Sequence, residues 1–151
     1  MKRLCILISI LLFGSCCNKN QDDDFAYSYM KCVSIIEKYG YDCCSGNFDI
    51  DFDTAMWLYC DASDYLSVLT GIKYHVIYVD VPVYESEFAV QQDIQYLKRW
   101  FEEYGRNMTK EDADSIVRKC YENHKCNLPN IDSVIVQWDK KMREHKHDNN
   151  S

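Results

Sequence analysis

Between Ser86 and Gly105 the apolar residues Val90, Ile94, Leu97, Phe101 and Tyr104 stand at steps of four, three, four and three. At 3.6 residues per turn those five side chains share one stripe of a helix. Ser86 suits the start and Gly105 the stop. An amphipathic helix cannot be stable alone in water, so this segment obliges the rest of the chain to supply apolar faces for it. Four other segments do so. Phe25, Tyr29, Cys32, Ile36 and Tyr39 repeat the spacing, with Gly40 as a stop. Ala55, Tyr59, Ala62, Leu66 and Leu69 follow, with Asp53 as the expected cap and Gly71 closing the run.

Thr109 and Asp112 form a capping-box pattern before Ala113, Ile116 or Val117, and Cys120. Ile131, Ile135, Trp138 and Met142 suit a helix after Pro129, while the alternation of Val134, Val136 and Trp138 suits a strand equally well. The stretch IKYHVIYVDVPVYES, residues 72–86, is rich in β-branched and aromatic residues and is read as a strand or an extended cover, with Pro82 placing it at an edge. Phe48, Ile50 and Phe52 alternate with Asp49, Asp51 and Asp53 and allow a second short strand. The expected fold class is therefore mainly α: a compact helical domain of four to five helices with a minor extended or β element.

The first residues carry a different message. Lys2 and Arg3 precede an apolar run from Leu4 to Phe13, then Gly14, Ser15 and Cys16. Ten apolar-dominated residues are too few for a spanning helix, which needs about 20. Phe13-Gly14-Ser15-Cys16 resembles the lipobox of bacterial lipoproteins, with Phe where Leu is usual, and Asp22-Asp23-Asp24 resembles the acidic cluster that follows the cysteine in Bacteroidales-type surface lipoproteins. The resemblance implies cleavage before Cys16, acylation of that thiol with chains such as palmitate, and residence in the cell envelope, at the outer membrane and displayed on its surface. Several acyl chains hold firmly, at roughly 0.8 kcal/mol per buried CH₂. The expected organisation is a signal peptide over residues 1–15, a lipidated cysteine and flexible acidic tether over 16–24, one globular domain over 25–145, and a disordered tail over 146–151.

A second resemblance covers residues 66–105. LSVLTGIKY, then DIQYLKRWFEEYG after a spacer, is similar to segments of HEAT-like helical proteins and of small lipoproteins of unknown role. It implies paired helices packing through Leu66, Leu69, Leu97 and Trp100, and it brings no catalytic residue with it.

Seventeen basic residues against 24 acidic ones give a net charge of −7, and losing Lys2 and Arg3 with the leader deepens it to −9. Such a body does not favour nucleic acid or anionic lipid. It suits a basic protein partner. Of the nine cysteines, Cys5 leaves with the leader, Cys16 takes the lipid and Cys17 lies beside it. Cys32, Cys43, Cys44, Cys60, Cys120 and Cys126 remain as candidates for disulfides, or as free buried thiols packing like small apolar groups.

No G-x-S-x-G, H-E-x-x-H or phosphate-cradling glycine loop is present. Asp49, Asp51 and Asp53 have the spacing of calcium ligands but lack the glycine and glutamate an EF-hand requires. Cys120, His124 and Cys126 bring three zinc-type ligands together without a fourth, so no cofactor is expected. Among twelve tyrosines, Tyr29, Tyr39, Tyr59 and Tyr104 fall on core stripes, leaving Tyr74, Tyr78 and Tyr84 as a candidate binding surface. Two classes stay open: a non-enzymatic binding or interaction module, of immunity type or accessory to an envelope complex, and a small envelope glycan-binding protein or enzyme.

Overall fold

The computed structural model describes residues 19–124 and 130–148. Five helices carry the chain: α1 Lys19–Ser45, α2 Phe52–Thr70, α3 Glu87–Glu103, α4 Lys110–His124 and α5 Ile131–Asp148. Between α2 and α3 lie two short strands, β1 Val76–Tyr78 and β2 Pro82–Tyr84, paired antiparallel with Ile77 opposite Val83. The mainly helical class with a minor β element is what the stripes dictate.

The long helix α1 is the spine, and α2, α3, α4, α5 and β2 all pack on it. Phe25, Tyr29, Cys32, Val33, Ile35, Ile36 and Tyr39 are all buried, so its apolar face is wider than a single stripe. Leu66 and Leu97 enter the same core, but α2 and α3 each pack chiefly on α1. The two helices of the HEAT-like resemblance thus meet mainly across α1, with a direct hydrogen bond from the Tyr96 hydroxyl to the Thr70 carbonyl.

Gly40 does not stop α1. The helix runs five residues further, and a Cβ on Gly40 would stand 2.7 Å from Val90 Cγ2, so the glycine is there for close approach of α3. The stop comes at Gly46, with φ of 71°. The helix also begins at Lys19, so the tether expected over 16–24 is helical from that residue on, and α5 likewise extends through residues 146–148 of the expected tail.

Asp51, not Asp53, caps α2, its carboxylate accepting from the Thr54 N–H at 2.9 Å. Residues 48–52 therefore make no strand; Phe48 and Phe52 meet edge to face at 5.1 Å and close the end of the core beside Tyr39. The capping box forms, with Thr109 N–H donating to Asp112 and Asp112 N–H to Thr109 Oγ1. Residues 131–138 are helical: Ile131, Val134, Ile135 and Trp138 are buried, whereas Val136, which a strand would have turned inward with Trp138, is exposed. Tyr104, expected in the core, is exposed at the end of α3.

Tyrosines form much of the interior. Tyr39 stacks on Tyr59 with centroids 4.3 Å apart, and Tyr59 meets Tyr84 edge to face at 6.2 Å. Tyr29 stacks on Trp100 and donates to the Leu97 carbonyl at 2.9 Å.

Candidate functional site

The three tyrosines expected to share a binding surface part company. Tyr84 is 2% exposed and belongs to the core, and Tyr74 is half-buried with its hydroxyl enclosed. Tyr78 alone faces water, 77% exposed, next to Val79 at 74%. The register puts both on one face of the hairpin, so the difference is depth: Tyr84 lies at the base of β2 against the core, while β1 leads away from the core towards the turn, where Tyr78 stands. Tyr39 fixes the hairpin by donating its hydroxyl to the Pro82 carbonyl at 2.7 Å. The result is an anchored projection with Ile77, Tyr78 and Val79 at its outer end and exposed Phe88 near its base.

A second arrangement lies at the foot of that hairpin. Gly71, with φ of 70°, ends α2 and turns the chain, and Thr70 Oγ1 takes the Ile72 N–H at 3.2 Å. The following residues alternate: Ile72 is buried and Tyr74 half-buried, so Lys73 and His75 point outward. On α3 the buried face is Val90, Asp93, Ile94 and Leu97, so a carboxylate occupies a position of the apolar stripe. Asp93 is 1% exposed. Its Oδ2 accepts from the His75 backbone N–H at 2.9 Å and from the Tyr84 hydroxyl at 3.0 Å, and its Oδ1 meets His75 Nδ1 at 2.5 Å.

A buried carboxylate costs several kcal/mol unless its lone pairs are answered, and here three donors answer them. Burial, with Tyr59 and Asp93 beside it, raises the Tyr84 phenol far above its ordinary value, so that hydroxyl keeps its proton and donates it to Asp93. With the carboxylate accepting, Nδ1 carries a proton towards Asp93 whether the ring holds one proton or two, and the solvent-side nitrogen of His75 is Nε2. The His75 side chain is 57% exposed. It borders a cleft of about 360 Å³ whose other walls include Lys73, Gln92, Gln95, Tyr96 and Arg99. The helical spacing of 92, 95, 96 and 99 puts those four on one flank of α3.

This pairing was not read from the sequence, although one signal was present: an aspartate between Val90 and Leu97 on a stripe otherwise made of apolar residues. A histidine oriented by a buried carboxylate can serve as a base or as a hydrogen-bond partner for a ligand. Among the described residues no serine or cysteine lines the cleft. Among the described residues no three His, Cys, Asp or Glu side chains are grouped to hold a metal ion.

The remaining sequence candidates are dispersed. Asp49 binds Lys38 Nζ at 2.7 Å and Asp51 is a helix cap, so neither joins a calcium site. Cys32, Cys43, Cys44 and Cys60 are free thiols, and no disulfide joins them. Burial pushes Cys32 up to about 12 and raises the other three as well, which removes thiolate character. Cys120 is half-buried on α4, while the His124 side chain, Cys126 and Cys16 lie outside the described residues. Comparison with protein-family models, curated proteins and solved structures finds no match.

Proposed function

We propose that this chain is an envelope lipoprotein held through Cys16, and that its helical body is a non-enzymatic binding module that meets a protein partner through the β1–β2 hairpin. The observation that carries this reading is the exposed apolar end of the hairpin, Ile77, Tyr78 and Val79, on a base fixed by Tyr39 and Tyr84. Pre-ordered tyrosine and aliphatic side chains are the groups from which interface centres are made, because they bury large area at little entropic cost.

Charge specifies the partner. Asp80, Glu85 and Glu87 are exposed around the apolar end, and no Lys or Arg occurs from Tyr74 through Leu97. The complementary surface is a protein with an apolar recess and a basic rim, as an immunity-type or accessory role would require. The same acidic rim opposes insertion into an anionic bilayer. Among the described residues no helix is long and apolar enough to cross a membrane, so the anchor in this reading is the acyl cysteine.

The test uses native-envelope extracts and a photo-crosslinking residue at position 78. The expected result is one stoichiometric protein, crosslinked through position 78, lost with Tyr78→Ala/Val79→Asp at unchanged Tm, and weakened by salt. Capture indifferent to that double variant overturns the hairpin reading. Sedimentation of Cys16→Ser with neutral vesicles, abolished by the same double variant, would assign the hairpin to lipid instead and likewise overturn it. Acyl labelling of Cys17→Ser but not of Cys16→Ser is expected for the anchor.

A further inference from the structure

We infer that the cleft between the Ile72–His75 segment and α3 binds an oxyanionic group, phosphate or carboxylate, through Lys73, Arg99 and, when its ring holds two protons, the Nε2–H of His75. This goes beyond the hairpin reading and does not depend on it. In a chain of net charge −7, the ionisable side chains on this cleft are Lys73, His75, Arg99, Tyr96 and Asp93. Asp93 offers nothing to a ligand, since both its oxygens are already engaged and it is buried. Tyr96 is held in the wall by donating to the Thr70 carbonyl at 3.0 Å. The cleft is therefore a basic spot in an acidic surface.

The cations are also available. Lys31, Lys38, Lys98 and Lys110 each have an acidic partner, whereas Lys73 and Arg99 form no ion pair among the described residues. Arg99 brings a planar fork that matches two oxygens of a phosphate or carboxylate, and Lys73 brings a mobile point charge. Gln92 and Gln95 add amide donors on the same flank.

His75 supplies the second, independent observation. The Asp93 Oδ2 closes the chain onto α3 and satisfies Tyr84. The other oxygen fixes an exposed imidazole ring that fills no part of the core. That bond also turns Nε2 towards the cleft, and the neighbours there favour an anion. A cleft of about 360 Å³ accepts a phosphate or the head of a sugar acid, near the lower end of ordinary ligand sites.

The experiment is an NMR titration of the full-length protein in neutral detergent with inorganic phosphate and, separately, with glucuronate, ionic strength being held constant with chloride. Saturable shifts of the His75 ring signals and of the Lys73 and Gln92 amides are expected, with the ring signals of His145 and His147 as internal references. Lys73→Ala and Arg99→Ala, both at exposed positions, are expected to weaken binding by about tenfold each, and His75→Asn, whose amide nitrogen stands where Nδ1 donates to Asp93, to weaken it as well. A response to phosphate alone or to glucuronate alone names the source of the oxyanion and supports the site. No saturable shift with either, or an unchanged response in Lys73→Ala/Arg99→Ala, overturns it.

Discussion

Gly40 and Val90 touch: a Cβ added to Gly40 would stand 2.7 and 2.8 Å from the two Val90 methyl carbons and 3.2 Å from Tyr84 Cδ2. Val90 is fully buried, so it has nowhere to retreat. Gly40→Ala gains about 1 kcal/mol of helix propensity but overpacks the α1–α3 contact at a cost of about 1–3 kcal/mol. A net loss of about 1 kcal/mol in urea unfolding is expected. Val90→Ala in the same chain should recover part of it, giving a favourable coupling in the double-mutant cycle. A stabilised Gly40→Ala protein would show that the two helices can separate.

Two tyrosine hydroxyls in the core should respond oppositely to removal. Tyr84→Phe strips a donor from buried Asp93 and is expected to cost about 1–3 kcal/mol. The Tyr59 hydroxyl is buried with no hydrogen-bond partner among the described residues, so Tyr59→Phe keeps the stack on Tyr39 and should be neutral or stabilising. Thermal unfolding of the two variants side by side checks the order. A larger loss for Tyr59→Phe would contradict the packing described.

Lys31 and Asp139 join α1 to α5 at 2.6 Å, with Tyr27 donating to the second Asp139 oxygen at 3.2 Å. The hydrogen bond from Lys31, and then its charge, hold the Asp139 carboxyl below its ordinary value against an opposing effect of burial. A carboxyl lowered on folding contributes stability above its unfolded value and loses it as pH falls through the native one. Both partners are roughly a quarter exposed, so solvent screening limits the contribution to about 0.5–1 kcal/mol. Asp139→Asn should show that deficit near neutral pH and converge with the parent in acid. A deficit constant with pH would mean that packing, not charge, is lost.

The thiols give a chemical check. Cys32 is fully buried and its thiol is pushed up to about 12, so iodoacetamide at about pH 8 should modify it only after unfolding. Peptide mapping without reductant is expected to recover Cys32, Cys43, Cys44 and Cys60 as thiols. A bridge between any two of them would contradict the free thiols described.

Apolar spacing made the helices legible, because each stripe had to find the same core. Thr109 and Asp112 announced their own cap for a similarly local reason. What escaped depends on contacts between distant residues. Gly40 reads as a stop until Val90 is seen against it, and Asp51 outcompetes Asp53 because the loop over Phe48 delivers the chain two residues earlier. Residues 131–138 fit two periods, and only the exposed Val136 decides between them. Tyr78 and Tyr84 look alike in sequence and share a face of the hairpin, yet one stands beside the turn in water and the other at the base against Asp93. The His75–Asp93 pair, eighteen residues apart, is assembled by Gly71 reversing the chain, which no local pattern encodes.

The start of α1 has a mechanical consequence for the proposed anchor. Only Cys17 and Asn18 lie between Cys16 and a helix of 27 residues, about 40 Å of rigid rod, that is also the central beam of the fold. An acylated Cys16 would leave the body almost no leash. It would stand on the bilayer like a post, sampling only targets that come within a few nanometres of the lipid headgroups.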